Sequence, residues 1–98
     1  MIKQFHVYNY LTQSVVVITN TVFNDVESIL VAPIKRISTS PLIANLQIIV
    51  ELNGSNFYVD LLDLATVSKR LLNQHNNEDL KTYRDEIKSG IDLLIDGF

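Results

Sequence analysis

Two patterns of hydrophobic and polar positions divide the chain. Up to about Leu72, apolar residues alternate with polar ones or form short β-branched runs, whereas from about Asn77 they recur at spacings of three and four. The first pattern is typical of β-strands and the second of an amphipathic helix. The sequence therefore predicts one domain over residues 1–98, built from strands first and a single helix last.

The strand region contains several distinct segments. Gln4–Tyr10 alternates, with Phe5 and Val7 on one face and His6, Tyr8 and Tyr10 on the other. The remaining segments are β-branched or apolar runs, which favour strands. They are Ser14–Thr19, Ser28–Ile34, Leu46–Leu52 and Phe57–Leu62, while Leu64–Leu72 fits strand or helix by pattern, with Thr66 and Val67 favouring strand.

Two local signals refine this prediction. Asn53–Asn56 reads NGSN, and because Asn-Gly tolerates positive φ, it predicts a hairpin. Pro33 cannot donate a ladder hydrogen bond, so it is expected at a strand end, an edge or a bulge.

The helix pattern follows a polar break at Asn73–Asn77. Its apolar stripe, which is expected to cover one face of the sheet, consists of Tyr83, Ile87, Ile91, Leu94 and Ile95. Thr82 with Asp85 resembles an N-cap with an acidic first turn, although a start at Glu78 also fits, and Gly97 suits the residue that ends a helix. The predicted fold class is mainly β with one C-terminal helix, as a small β-barrel or strongly bent antiparallel sheet.

Composition narrows the classes of function. The net charge is −3, and Lys35–Arg36 and Lys69–Arg70 are the only local basic groupings, so direct binding of nucleic acid is not expected. The 98 residues include no cysteine, which excludes disulfides and thiol chemistry. No apolar run approaches the length of a membrane span, so a cytoplasmic protein without membrane contact is expected.

Candidate catalytic and metal-binding residues are few. His6 and His75 lack metal-ligand spacing, and Asp60 and Asp63 are expected on opposite faces rather than as a dyad. The acidic residues at the expected helix start suit the helix dipole. With no phosphate-binding or nucleophile motif, the sequence predicts no catalytic residue, no metal and no cofactor.

Two apolar features are ambiguous. The pair Val22–Phe23, between polar turn formers, is either a core anchor or an exposed knob. Phe98 stands after the helix and Gly97, and it is either tucked against the domain or offered to a partner.

Five stretches in order resemble the CcdB-type toxins of bacterial toxin–antitoxin modules. The resemblance covers nearly the whole chain, with a small length difference around Ser38–Leu46. The stretches are QFHVYNY, SILVAPI, the Asn-Gly hairpin, DLATV (Asp63–Val67) and EIKSGIDLLIDGF (Glu86–Phe98).

The resemblance implies an SH3-like barrel with a small extra sheet, and a homodimer that is not an enzyme. It implies binding to the A subunit of DNA gyrase, which traps the cleaved gyrase–DNA complex, and neutralisation by the disordered segment of a cognate antitoxin. The toxin–antitoxin complex would repress its own operon through the antitoxin. Carried onto this sequence, the gyrase-binding residues would be Asp96, Gly97, Phe98, Asp92, Val22 and Phe23.

Two other functions stay open. Asp96 and Phe98 depart from the family pattern, which is often Trp or another uncharged residue at the first position and Ile at the second. A dimeric interaction protein with an altered or lost gyrase target therefore remains an alternative. A MazF/Kid-like endoribonuclease on the same barrel is the other, with Arg36 or Arg70 and His6 as conceivable catalytic groups.

Overall fold

The computed structural model describes residues 2–20 and 26–97. Within them the chain forms strands first and an α-helix last, with short 3₁₀ turns at Leu61–Asp63, Lys69–Leu71 and Lys81–Tyr83. The strands are β1 (His6–Tyr10), β2 (Gln13–Val17), β3 (Ser28–Arg36), β4 (Gln47–Leu52), β5 (Ser55–Asp60), β6 (Ala65–Ser68) and β7 (Leu72–Asp79), and the helix α1 is Arg84–Asp96.

The strands form an open, curled antiparallel sheet. The hydrogen-bonded order is β4-β5-β3-β2-β1-β7, and β6 also pairs with β3. The first half of β3 pairs with β6 and its second half with β5, so the sheet bends where β3 changes partner. The predicted fold class, a strongly bent antiparallel sheet with one C-terminal helix, is confirmed.

Pro33 lies within β3 at this change of partner. The main-chain N–H and C=O of Leu30 both bond toward β2, to Thr19 Oγ1 and Ile18 N at 2.7 and 2.9 Å. Alternation along the strand then directs the imide nitrogen of Pro33 to the opposite edge. On that edge β6 pairing ends at Val31 and β5 pairing begins at Ile34, so the missing donor costs no ladder bond.

The hairpin is confirmed, with a tighter turn than the four-residue segment predicted. Leu52 pairs with Ser55, and the two turn residues Asn53 and Gly54 have φ of 53° and 80°. Positive φ at both central positions is the type I′ geometry whose twist matches antiparallel strands.

Strand β7 contradicts the predicted polar break at Asn73–Asn77. The segment pairs with β1, for example Asn73 with Asn9, and forms the outer strand at this end of the sheet. Its register shifts before Asp79, near Asn77, whose φ is 57°. An edge strand held by main-chain bonds needs few apolar side chains, so hydrophobic alternation did not reveal it.

The helix begins later than the sequence predicted. Neither Thr82 nor Glu78 begins it: a 3₁₀ turn occupies Lys81–Tyr83, and no side chain caps the first turn of α1 at Arg84. Asp85 does lie in that first turn, where its charge suits the helix dipole.

The core occupies both faces of the curled sheet. One cluster includes Phe5 and Val7 from the β1 region and Ile87 from α1, and the other includes Tyr8 and Val15, so the predicted alternation of β1 is confirmed. Helix α1 packs closely against the rest of the domain at Gly90, which is buried. A Cβ placed there would overlap Leu61 Cδ1 and lie 2.6 Å from the main-chain oxygen of Asn45.

Candidate functional site

The last turn of α1 brings together three of the residues implied in gyrase binding. Asp92, Asp96 and Gly97 are all exposed. Gly97 has φ of 78°, and its N–H donates to the main-chain oxygen of Leu93 at 2.8 Å. This left-handed conformation ends the helix, as the sequence predicted, and sets the direction in which the chain leaves it.

The same turn displays apolar surface that the sequence assigned to the core-facing stripe. Leu94 is 41% exposed and Ile95 is 74% exposed. The stripe packs on the core at Tyr83, Ile87 and Ile91, but the last helical turn extends past it. The prediction that Leu94 and Ile95 pack inward was wrong, because periodicity shows which residues share a face and not how far the sheet beneath them reaches.

The other implied site residues lie outside the described part of the chain. They are Val22, Phe23 and Phe98. The structure therefore shows Asp92, Asp96 and Gly97 at an exposed helix end, next to the exposed apolar pair Leu94 and Ile95, which the sequence had not assigned to the site.

A charged network joins β3 to the 3₁₀ turn after β5. Lys35 Nζ donates to Asp60 Oδ2 at 2.8 Å and to Asp63 Oδ2 at 3.1 Å. Asp60 is only 5% exposed, and its Oδ1 accepts from the Leu62 main-chain N–H at 3.1 Å and from Gln47 Nε2 at 3.4 Å. The strand ends at Asp60, and the turn brings Asp63 to the same lysine, so the expectation that the two carboxylates point apart was wrong.

In this network the positive charge of Lys35 is matched by the carboxylates of Asp60 and Asp63. The hydrogen bond from Lys35 to Asp60 raises the pKa of the lysine, with Asp63 acting in the same direction and burial opposing both. A lysine held by two carboxylates is a structural anchor rather than a free cation for a substrate, since its positive charge is already matched.

The residues considered for ribonuclease chemistry do not converge. Arg36 lines a cavity of about 550 Å³, and neither His6 nor Arg70 is among its lining residues. Arg70 Nε donates to Glu27 Oε1 at 2.9 Å on the exposed surface. A cation and an acid–base group must face one phosphate for such chemistry, and these three do not share a cavity.

His6 is the one titratable ring with a buried nitrogen that lacks a partner in the described residues. Its Nε2 has no hydrogen-bond partner there. Burial lowers the pKa of His6, which Asp79 opposes and Lys81 and Lys3 reinforce. A half-buried imidazole in the β1–β7 pair, outside the cavity that Arg36 lines, is a structural group in this setting.

The described ranges 2–20 and 26–97 contain neither a cluster of metal ligands nor a helix suited to a membrane. Within them, no three His, Asp or Glu side chains come together as metal ligands. In the same ranges, no helix has the length and apolar character needed to cross a membrane.

Comparison with known proteins yields one match and one negative result. The family model described as CcdB protein matches residues 4–97, which is almost the entire chain. A search among curated proteins found no match. The match spans both the curled sheet and the helix whose end forms the candidate site, and the chain belongs to the CcdB family of toxins.

Proposed function

We propose that this protein is the toxin of a type II toxin–antitoxin module that binds the A subunit of DNA gyrase and traps the cleaved gyrase–DNA complex. In this role it acts by binding and catalyses no reaction. The observation that carries the proposal is the exposed apolar end of α1, in a chain that matches the CcdB family over residues 4–97.

The helix end has the properties of a binding anchor. Ile95 is 74% exposed, although burying such a side chain fully is worth about 1.5–3 kcal/mol. The preceding turns of α1 are fixed to the core through Ile87, so presenting this surface costs little further ordering on docking. Asp92 and Asp96 flank it and favour a target surface that carries matching positive charge.

The remaining implied residues complete the proposed gyrase site. Val22, Phe23 and Phe98 would supply further apolar contacts to gyrase. A homodimer would present two copies of this surface, related by a twofold axis, to a twofold-symmetric target. We further propose that a cognate antitoxin covers the toxin through a disordered segment, and that the pair represses its own operon and supports plasmid maintenance.

The test is a gyrase cleavage assay with matched variants. Purified protein, gyrase, supercoiled DNA and ATP should together accumulate linear DNA. Ile95→Asp should abolish this accumulation without changing the far-UV circular dichroism or the melting temperature by more than about 3 °C, because the side chain lies mostly in water.

Thr82→Asp is the matched control. It introduces the same charge at another exposed position, ahead of α1, and should leave cleavage at the level of the unmodified protein. Equal cleavage by the Ile95→Asp variant would place the binding surface elsewhere. A folded protein that gives no linear DNA in any form would favour the altered-target alternative, and RNA cleavage would favour the ribonuclease.

A further inference from the structure

A groove of about 660 Å³ lies between β4 and α1. Its α1 lining residues lie between Asp85 and Leu93, so it adjoins the proposed gyrase site without including Asp92, Asp96 or Gly97. Its lining combines apolar, amide and carboxylate side chains. They belong to Asn45, Gln47, Ile48, Ile49, Asp85, Glu86, Ser89 and Leu93.

The strand that borders the groove is at one end of the sheet. Among the described residues, β4 has β5 on one side and no strand on the other. Leu52 and Ser55 close the two-residue turn, so their main-chain groups face each other. Alternation then turns the main-chain groups of Gln47, Ile49 and Glu51 toward the open edge.

Two of these three outward N–H groups are already bonded. Gln47 N–H donates to the main-chain oxygen of Ile43 at 2.9 Å, and Glu51 N–H donates to Tyr83 Oη at 3.0 Å. Ile49 lies between them, and in the described residues its N–H has no partner. Because the neighbouring donors are covered by the chain's own groups, the open donor and acceptor at Ile49 form a short, bounded pairing position.

The side chains beside that position specify its occupant. Ile49 is 54% exposed, and Leu93 adds apolar surface from the helix side. Asp85 and Glu86 contribute carboxylates, whereas no Lys or Arg lines the groove. Asp85 has the Arg84 guanidinium at 3.6 Å, while Glu86 has no ion pair in the described residues. The charge of the groove is therefore negative, beside an apolar strand edge.

We propose that this groove binds a short, extended, basic segment of a partner protein, which adds as a strand to β4 at Ile49. The partner residue opposite Ile49 exchanges main-chain N–H and C=O bonds with it, as in other strand-addition interfaces. Apolar side chains of the segment contact Ile49 and Leu93, and a Lys or Arg reaches Glu86. Tyr83 and Ile43 block both ends of the edge, so the paired stretch is about three residues long.

The experiment uses the full chain and a defined probe. A blocked five-residue peptide of alternating valine and lysine is titrated into isotopically labelled protein at low salt, and the Ile49 amide is followed by NMR. The amide resonance should shift saturably and its hydrogen exchange should slow when the peptide is bound. A peptide of alternating valine and glutamate should bind at least tenfold more weakly.

Two variations test the two parts of the site separately. Glu86→Gln should weaken binding about two- to fivefold, as expected for the loss of one exposed charge pair. Glu27→Gln is the control and should leave binding unchanged, because Glu27 does not line the groove. Methylating the central main-chain nitrogen of the peptide should weaken binding about tenfold by removing a strand bond.

Several results would overturn the inference. They are an unshifted Ile49 amide at saturating peptide, unchanged exchange at Ile49 in the complex, or equal binding of the acidic peptide. None of them bears on the gyrase proposal, because the cleavage assay depends on Ile95 and not on this groove.

Discussion

Replacing Gly90 by alanine tests how closely α1 packs against the rest of the domain, because the added methyl group has no free space. In an exposed helix, Gly→Ala stabilises by about 1 kcal/mol, because alanine loses less main-chain entropy. At Gly90 the added Cβ would lie 2.6 Å from the main-chain oxygen of Asn45 and would overlap Leu61 Cδ1. Leu61 is completely buried, so its side chain has little room to move.

The magnitude follows from the balance of these two terms. Overpacking a close-packed site costs about 1–3 kcal/mol, and here one contact is with the main chain, which places the cost at the upper end. Subtracting the propensity gain leaves Gly90→Ala destabilised by about 1–2 kcal/mol. For a domain of this size that corresponds to a melting temperature lower by about 5–15 °C.

The assay is urea unfolding followed by circular dichroism at one fixed protein concentration, since association would otherwise shift the apparent stability. Ser89→Ala is the matched control, because it adds helix propensity at the neighbouring exposed position and should raise stability by a few tenths of a kcal/mol. If Gly90→Ala were as stable as Ser89→Ala, the close approach of α1 to Asn45 would be refuted.

Two further predictions concern charge. Lys35→Met should destabilise the protein by about 2–3 kcal/mol at neutral pH by leaving Asp60 buried without its cation, whereas the exposed Lys88→Met should change stability by less than about 0.5 kcal/mol. Because the folded-state pKa of Lys35 is raised, its stabilisation is complete below 10.5 and is lost as pH rises through the folded value, so unfolding curves should converge with those of Lys35→Met above that pH. Because the pKa of His6 is lowered, stability should fall as pH decreases below 6.5, and His6→Gln should lessen that fall; equal slopes for the two proteins would contradict this account.

Features that depend on local chain chemistry were predictable from the sequence. The Asn53–Gly54 turn and the Gly97 helix end follow from residues that adopt positive φ at low cost. The prediction that Phe5 and Val7 lie on one face and Tyr8 on the other was also confirmed, because each face contacts its own core cluster.

Features that depend on distant parts of the chain were not predictable. Strand β7 is held by main-chain pairing with β1, which leaves no hydrophobic pattern to read. The Lys35–Asp60–Asp63 network needs the strand to end and a 3₁₀ turn to begin at the right residue. The exposure of Ile95 depends on where the sheet ends beneath the helix, and the spacing of apolar residues in the sequence does not give that position.

We propose that the exposed end of α1 is the surface through which this protein binds a second macromolecule. The most direct measurement is gyrase-mediated DNA cleavage by the full chain and by a version lacking residues 96–98, compared at equal folded concentration. The account predicts linear DNA with the full chain and none with the shortened one, whose helix still packs through Ile87 and Ile91. Undiminished cleavage by the shortened protein would contradict it.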